Sequence, residues 1–443
     1  MQQSLRDFLR YVSLNVMGML GLSCYILADT FFVARGLGSQ GLAALNLAIP
    51  VYSLIHGCGL MLGMGGATRY TILRHQGRER EGDAVFTHTL VLAFALMLAF
   101  LALGIGAADP IARWLGADET VLDMSRTYLQ VLLQFSPAFL LNDVLLCFVR
   151  NDGAPQLSMV AMIVGSLSNV ALDYIFIFPM QMGIFGAVLA TGLAPIISLA
   201  VLSPFFFQRK HSFRPVRCRA SAAMAASIVG CGLPSWVTEV SSGVVMILFN
   251  AIILRLQGNI GVAAYGVVAN LSLVVIAIYT GIAQGMQPLV SRSFGQGRPD
   301  EVRRLTRYGM TMTLGISAAL YILIATGAGP IAAAFNGEGN PALQAMAEAG
   351  MRLYFLGGPF AGVNILLCVY FTCTDRARPA QVIAILRGFA VLAPSALLFS
   401  GIWGMTGLWL AFPAAEAAVM AAALLWYRRR GAHPLPMDVS AGV

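Results

Sequence analysis

The chain has 443 residues, of which 58% are hydrophobic and only 11% charged, whereas a soluble domain is about 25% charged. So few charges cannot cover a soluble core of this size, which excludes a water-soluble fold. The net charge of +8 is scattered over separate segments without interleaved aromatics, which argues against a nucleic-acid partner.

Runs of about 20 apolar residues, the length at which a helix crosses the hydrocarbon, recur from end to end. They predict twelve spans: 8–33, 43–67, 84–107, 121–148, 156–178, 184–207, 222–252, 262–289, 303–328, 345–371, 380–400 and 404–427. The runs do not alternate as the strands of a membrane barrel do, so the fold class is an all-α membrane protein. The first run is too long for a signal peptide and has no small-residue cleavage site, and the first span is expected to remain in the mature protein. Just after it, Gly36-Leu37-Gly38-Ser39-Gln40-Gly41 matches G-x-G-x-x-G but joins two apolar helices, not a strand and a helix. No dinucleotide site is expected there.

Beyond the sixth span, the segment from Arg209 to Arg219 is the only long, markedly polar stretch in mid-chain. It marks a boundary. Residues 1–208 read as an N-lobe of six spans, 209–221 as a basic connector, 222–430 as a C-lobe of six more, and 431–443 as a tail. A shift of 220 residues lays one half on the other: Arg35, Gly38, Gly41, Ala43 and Ala44 meet Arg255, Gly258, Gly261, Ala263 and Ala264. On the same shift Gly65 meets Gly285, Gln76-Gly77-Arg78 meets Gln296-Gly297-Arg298, and Pro110-Ile111-Ala112 meets Pro330-Ile331-Ala332. Glycines, prolines and loop arginines coincide on one offset, so a single unit was duplicated. An even number of spans returns the second copy to the same orientation, giving parallel repeats about an axis along the membrane normal, the plan of a transporter with its site between two equivalent halves.

With the N-terminus inside, 22 of the 28 basic residues fall in cytoplasmic segments. Both termini and the connector are therefore expected in the cytoplasm, with Arg35, Arg113, Arg255 and Arg352 outside and Arg126 and Arg387 within spans. Lys210 is the only lysine and no glycine precedes it, so a Walker phosphate loop is absent. The five histidines are dispersed without H-E-x-x-H, and the seven cysteines form no C-x-x-C. Neither a metal site nor a disulfide framework is expected. The chain reads as no enzyme, with no cofactor, and any solute it moves must be driven by an ion gradient.

Carboxylates inside spans cost at least ~2.5–3.5 kcal/mol each on insertion scales and persist where they line a cavity or relay ions. Five qualify: Asp29, Asp143, Asp173, Glu239 and Glu416. Asn169 and Asp173, four residues apart, share one helical face and offer amide and carboxylate oxygens, to which Thr191 on the next span adds a hydroxyl. Asp143 is expected to lie near Arg150 on its own helix, and Glu416 shows no polar cluster around it; both read as groups that hydrogen-bond across helices.

Several of these segments together resemble the multidrug and toxic compound extrusion (MATE) family. They are Ala28-Asp29-Thr30 closing the first span, Val149-Arg150-Asn151-Asp152-Gly153-Ala154-Pro155 after the fourth, Asn169-x-x-x-Asp173 followed by Gly183-Ile184-Phe185-Gly186-Ala187, and Gln284-Gly285-Met286-Gln287-Pro288 closing the eighth. The resemblance covers the whole chain and implies two six-helix bundles in a V-shaped, two-lobe architecture. It implies an N-lobe cation or proton site of Asp29, Asn169, Asp173 and Thr191. Gly232-Leu233-Pro234 followed by Glu239 resembles the seventh-span acidic motif of sodium-coupled members and implies a secondary cation or substrate role for Glu239 in the C-lobe. The tenth-span acid has no clear match, since Asp375 falls at the end of that helix. Leu14 stands where many relatives carry a proline, so a proline-driven bend of the first span is not expected, and Gly18 and Gly21 are left to soften it.

The resemblance also implies a bacterial inner-membrane antiporter, a monomer among membrane lipids, exporting amphipathic and often cationic small molecules in exchange for H+ or Na+. Its cavity walls are expected to include Tyr25, Phe32, Met61, Met64 and Tyr279. The alternative is a lipid-linked saccharide flippase of related architecture, which should carry extra spans and a more basic cavity.

Overall fold

A computed structural model describes residues 2–208, 211–336 and 339–431. Arg209 and Lys210 of the connector, and residues 432–443 of the expected tail, lie outside the described residues. The helices in chain order are α1 (Gln2–His75), α2 (Glu79–Gly106), α3 (Ala108–Trp114), α4 (Leu122–Gln134), α5 (Ser136–Asn151), α6 (Pro155–Ile177) and α7 (Gly183–Phe207). They continue as α8 (Ala222–Gly295), α9 (Pro299–Phe335), α10 (Pro341–Tyr354), α11 (Gly358–Cys373), α12 (Ala377–Ile385) and α13 (Leu392–Trp426).

Among the described residues nine helical stretches are long and apolar enough to cross a membrane, and the pair α4 and α5, bent by 47° at Phe135, makes a tenth. Two of the ten, Ala222–Gly295 with 74 residues and Ala377–Arg429 with 53, each hold two crossings. At about 1.5 Å per residue, 74 residues of helix would far exceed a hydrocarbon layer of about 30 Å. The chain breaks at Gly258 (φ 63°) and at Gly404 (φ 59°), just as α1 breaks at Gly38 (φ 68°). Positive φ is a conformation that glycine adopts without strain, and Gly38 and Gly258 are mates on the 220-residue shift. Twelve spans result, as the hydropathy predicts. The tenth combines α10 with α11 across a tight turn at Phe355–Gly357, and the eleventh carries a wide helical turn at Leu386–Ala390.

The chain divides into two compact units, one of residues 17–240 and one of residues 1–16 with 241–443. Residues 2–16 of α1 thus pack with the C-terminal unit and residues 222–240 of α8 with the N-terminal one, against the division of the sequence into halves. The N-terminal residues serve the C-terminal unit: Ser4 hydrogen-bonds Glu301, Asn15 Nδ2 donates to the Gly281 carbonyl at 3.1 Å, and the Phe8 and Tyr308 rings lie 5.7 Å apart. A Cβ on Gly285 would meet Val12 Cα at 2.7 Å, and one on its repeat mate Gly65 would collide with the Ile228 carbonyl. Helix backbones approach to a distance that only glycine permits, and they do so at equivalent positions in both units.

Gly18 and Gly21 keep helical geometry and serve close packing: a Cβ there would stand 3.0 Å from Met162 Sδ and 3.5 Å from Ile163. The approach of α6 is tight at Gly18, whereas a Cβ on Gly21 would make ordinary contact with Ile163. The connector is pinned to the N-terminal unit. Phe213 is fully buried against Phe86, Phe148 and Tyr70 at ring separations of 4.6, 5.4 and 5.9 Å. Ser212 N–H donates to Asp152 Oδ2 at 2.6 Å, Val216 N–H to Thr87 Oγ1 at 2.9 Å, and Ser221 N–H to His88 Nε2 at 3.0 Å.

Candidate functional site

Three elements of the N-terminal unit bring Asp29, Asn169, Asp173 and Thr191 together. Asp29 ends an apolar stretch of α1, Asn169 and Asp173 stand on one face of α6, and Thr191 faces them from α7. All four are buried. With the Asn169 amide oriented to satisfy both neighbours, its nitrogen donates to Asp173 Oδ2 at 3.0 Å and its oxygen accepts the Thr191 N–H at 3.2 Å. The Thr191 hydroxyl donates to the Ala187 carbonyl at 3.1 Å, and Tyr128 borders it. Asp173 Oδ1 and Asp29 Oδ1 are buried with no hydrogen-bond partner among the described residues. A buried carboxyl oxygen without a partner carries the full cost of lost hydration. A proton on the carboxyl or a bound cation removes that cost, and exchange chemistry needs that choice.

A second cluster lies in the same unit. His56 Nδ1 is 2.9 Å from Asp143 Oδ2, so the partner that the structure gives Asp143 is His56 from α1. Arg150, expected beside it, instead reaches Met64 Sδ at 3.5 Å and Cys147 Sγ at 3.6 Å. Glu239 interacts electrostatically with His56 and Asp143. Residues 222–240 of α8 belong to the unit of residues 17–240, so Glu239, expected to serve the C-lobe, stands in the N-terminal compact unit.

The third cluster belongs to the C-terminal unit. Glu416 Oε1 accepts from Arg387 Nη2 at 2.9 Å and Nε at 3.2 Å, and Oε2 accepts from Asn364 Nδ2 at 2.7 Å. Glu416 therefore hydrogen-bonds across helices, as expected, and the polar cluster around it that the sequence did not show is Arg387 and Asn364. Arg387, placed within a span by sequence, carries the charge that answers it, and it sits on the wide turn that departs from regular α-helix. Sequence reasoning overlooked Asn364 and His56. The signal available for His56 was its own polarity within an apolar run, which demands a partner on another helix.

The expected wall residues separate into two sets. Met64 and Tyr279 are 2% exposed and pack as core: Tyr279 lies in the C-terminal unit's core, its hydroxyl 3.0 Å from the place of a Gly358 Cβ. Tyr25 bonds Tyr52 hydroxyl to hydroxyl at 2.6 Å, Phe32 clusters with Tyr174 and Phe178 at 6.1 and 6.0 Å, and Met61 is half-buried. Asp375 occupies the turn after α11 with φ 57°. Among the described residues no group of three His, Cys, Asp or Glu side chains is arranged to hold a metal ion.

The MatE family model matches residues 16–175 and 234–396. The chain is 25% identical over 421 residues to "Multidrug export protein MepA" of Staphylococcus saprophyticus, covering 94% of this chain and 92% of that protein. It is similar to the same degree to the protein of that name from Staphylococcus aureus strain N315. It also shares its fold with a MATE crystallised in complex with MaL6, at TM-score 0.90 and 23% identity over 96% of each chain. A multidrug resistance MATE family transporter of the MOP superfamily in an outward-facing conformation matches at TM-score 0.90 and 23% identity, covering 96% of this chain and 95% of that one. These matches and the twelve spans do not favour the saccharide flippase, for which extra spans are expected.

Proposed function

The chain belongs to the MatE family, and from that membership we propose that it is a secondary active antiporter exporting amphipathic, often cationic compounds in exchange for protons or sodium ions. The observation that carries this reading is the pair of buried carboxyl oxygens, Asp29 Oδ1 and Asp173 Oδ1, without a partner among the described residues. The two acids stand on different helices near enough for their charges to interact, and such a pair titrates as one unit. The Asn169 amide occupies Asp173 Oδ2 and thereby leaves Oδ1 for the arriving ion. A proton or sodium ion taken up from outside neutralises the pair and favours the conformation that lets substrate go; its loss inside resets the cycle. A gradient drives export only through such differential affinity between two states.

The name of the relatives, multidrug export protein, supports organic drugs as the cargo. Glu239 supplies a counter-charge for a cationic one, with Trp236 and Tyr52 near it as aromatic faces. In this reading the protein works as a monomer in the bacterial plasma membrane, with both termini and the connector in the cytoplasm and no cofactor.

Proteoliposomes that contain only this protein test the proposal. Ethidium should move against its gradient when a proton or a sodium gradient is imposed, and failure of both gradients to move it would refute antiport. For the orientation, Ser212→Cys and Gly297→Cys should label only from the cytoplasmic side and Gly38→Cys only from outside.

A further inference from the structure

The Asp29–Asp173 pair leaves His56 and Asp143, which neighbour Glu239, without a task. His56 pairs with Asp143 at 2.9 Å, with side chains 15% and 7% exposed. Glu239 is half-buried, and its Cβ lies 3.2 Å from the place a Gly57 Cβ would take, so the missing side chain admits it. Among the described residues nothing hydrogen-bonds its carboxylate. The surroundings are aromatic: Tyr52 stacks on His56 with rings 5.8 Å apart and 13° from parallel, and Trp236 Cδ1 stands 3.4 Å from the same Gly57 position. The three side chains do not converge on a point as metal ligands do. Acid beside aromatic faces suits a large, weakly hydrated organic cation.

We propose that His56, Asp143 and Glu239 form the seat of an organic monocation, which enters in exchange for the proton on His56. With imidazolium present, two carboxylates and one cation leave a net charge of −1. Once His56 is neutral it still donates Nδ1–H to Asp143, the cluster carries −2, and a quaternary or protonated amine restores −1. The titratable groups that face His56 are Asp143 from α5, Glu239 from the first half of α8, Tyr52 on its own helix, and Tyr25 from the first half of α1 behind Tyr52. Imidazole alone among these types ordinarily titrates near neutrality. The Tyr25–Tyr52 hydroxyl pair, 2.6 Å apart, leads back to Asp29 one helical turn beyond Tyr25, so the seat and the exchange pair share a polar connection. This inference rests on the antiport reading and deepens it by assigning the cation's place.

The test is calorimetric titration of tetraphenylphosphonium, a permanent cation, into the purified full chain carrying Asp29→Asn and Asp173→Asn, in which the first cluster no longer titrates. Affinity should rise with pH until His56 has lost its proton, approaching ~tenfold per unit for one-for-one exchange. Adding His56→Gln should flatten that slope to below ~twofold per unit. Adding Glu239→Gln, at a half-buried position without a hydrogen bond to lose, should weaken binding ~tenfold or more at the alkaline end. A His56→Gln protein that keeps the full slope, or a Glu239→Gln protein that binds as tightly as its parent, overturns the seat. The Glu239→Gln arm decides alone if His56→Gln does not fold. Failure of the wild type to move ethidium on either gradient would overturn the antiport reading instead, whatever the isotherms show.

Discussion

The two compact units treat a buried carboxyl group in opposite ways. In the N-terminal unit Asp29 and Asp173 each keep a buried oxygen without a partner among the described residues. In the C-terminal unit Glu416 receives two bonds from Arg387 and one from Asn364, at 2.9, 3.2 and 2.7 Å. The backbone repeat is faithful at the breaks of Gly38 and Gly258 and at the close approaches of Gly65 and Gly285, so the divergence lies in side-chain chemistry. A neutral pair satisfied inside the protein has no vacancy for an ion, whereas a pair of acids lacking partners does. Duplication supplied two frames, and among the described residues only the N-terminal one leaves a pair of buried carboxyl oxygens without partners.

The largest effect expected from this comparison is on transport. Asp29→Asn or Asp173→Asn should abolish gradient-driven efflux of ethidium from vesicles, while each variant still inserts and elutes as a monodisperse species. The paired replacement of Arg387 by Met and Glu416 by Leu should leave efflux within about threefold of the wild type, because a buried ion pair exchanged for apolar side chains is often neutral. If the N-terminal variants pump normally, or the C-terminal double variant loses coupling, the division of labour between the units is wrong.

Removing one partner sharpens the same contrast. Arg387→Met alone strands Glu416 at 3% exposure, and an uncompensated buried charge costs about 3–5 kcal/mol. Thermal unfolding in detergent should show that loss, and the double variant should recover most of it. Equal stability of the single and double variants would mean that Arg387 does not neutralise Glu416.

Much of this was readable in the chain, for identifiable reasons. Span length and hydropathy disclose twelve crossings, and Asn169 and Asp173 share a face because four residues are one helical turn. Asp29 and Thr191 were reachable through the family resemblance. The exchange of residues 1–16 with 222–240 was not readable, because the choice of which bundle a helix end joins is made by tertiary packing, and Val12 beside Gly285 carries no local pattern. Glu416 and Arg387 stand 29 residues apart, a separation no helical period records. His56 meets Asp143 across 87 residues for the same reason. The polarity of each side chain announced a partner, and only the fold supplied its identity.

The connector adds a further asymmetry, since its described residues pack on the N-terminal unit. Phe213→Ala would empty a fully buried site among Phe86, Phe148 and Tyr70. Such truncations cost about 3–5 kcal/mol in a well-packed core, and a segment held at one edge should yield the lower part of that range. Limited proteolysis should then cut between Ser212 and Ser221 in the variant under conditions in which the wild type resists. Unchanged resistance would show that the hydrogen bonds to Asp152, Thr87 and His88 hold the segment without the ring.

The smallest effect concerns pH. Asp152 lies in the turn between α5 and α6, outside the spans, and accepts the Ser212 N–H at 2.6 Å and the Tyr70 hydroxyl at 3.0 Å. Burial pushes its carboxyl above the usual range, against the opposing pull of the bonds from Ser212 and Tyr70. A carboxyl with a raised pKa holds its proton more tightly in the folded state, so this contribution is complete below the ordinary carboxylate range and is lost as pH rises through the folded value. The grip on Ser212 should therefore be firmest in acid and loosen as pH rises, an effect of under about tenfold in opening because Asp152 remains partly exposed and well bonded. Hydrogen exchange at the Ser212 and Phe213 amides, corrected for the intrinsic pH dependence of exchange, reads that opening directly. Asp152→Asn keeps an acceptor for the Ser212 N–H but cannot titrate, so its corrected protection should be flat with pH. If the wild type is equally flat, burial does not govern this carboxyl and the connector is held alike at every pH.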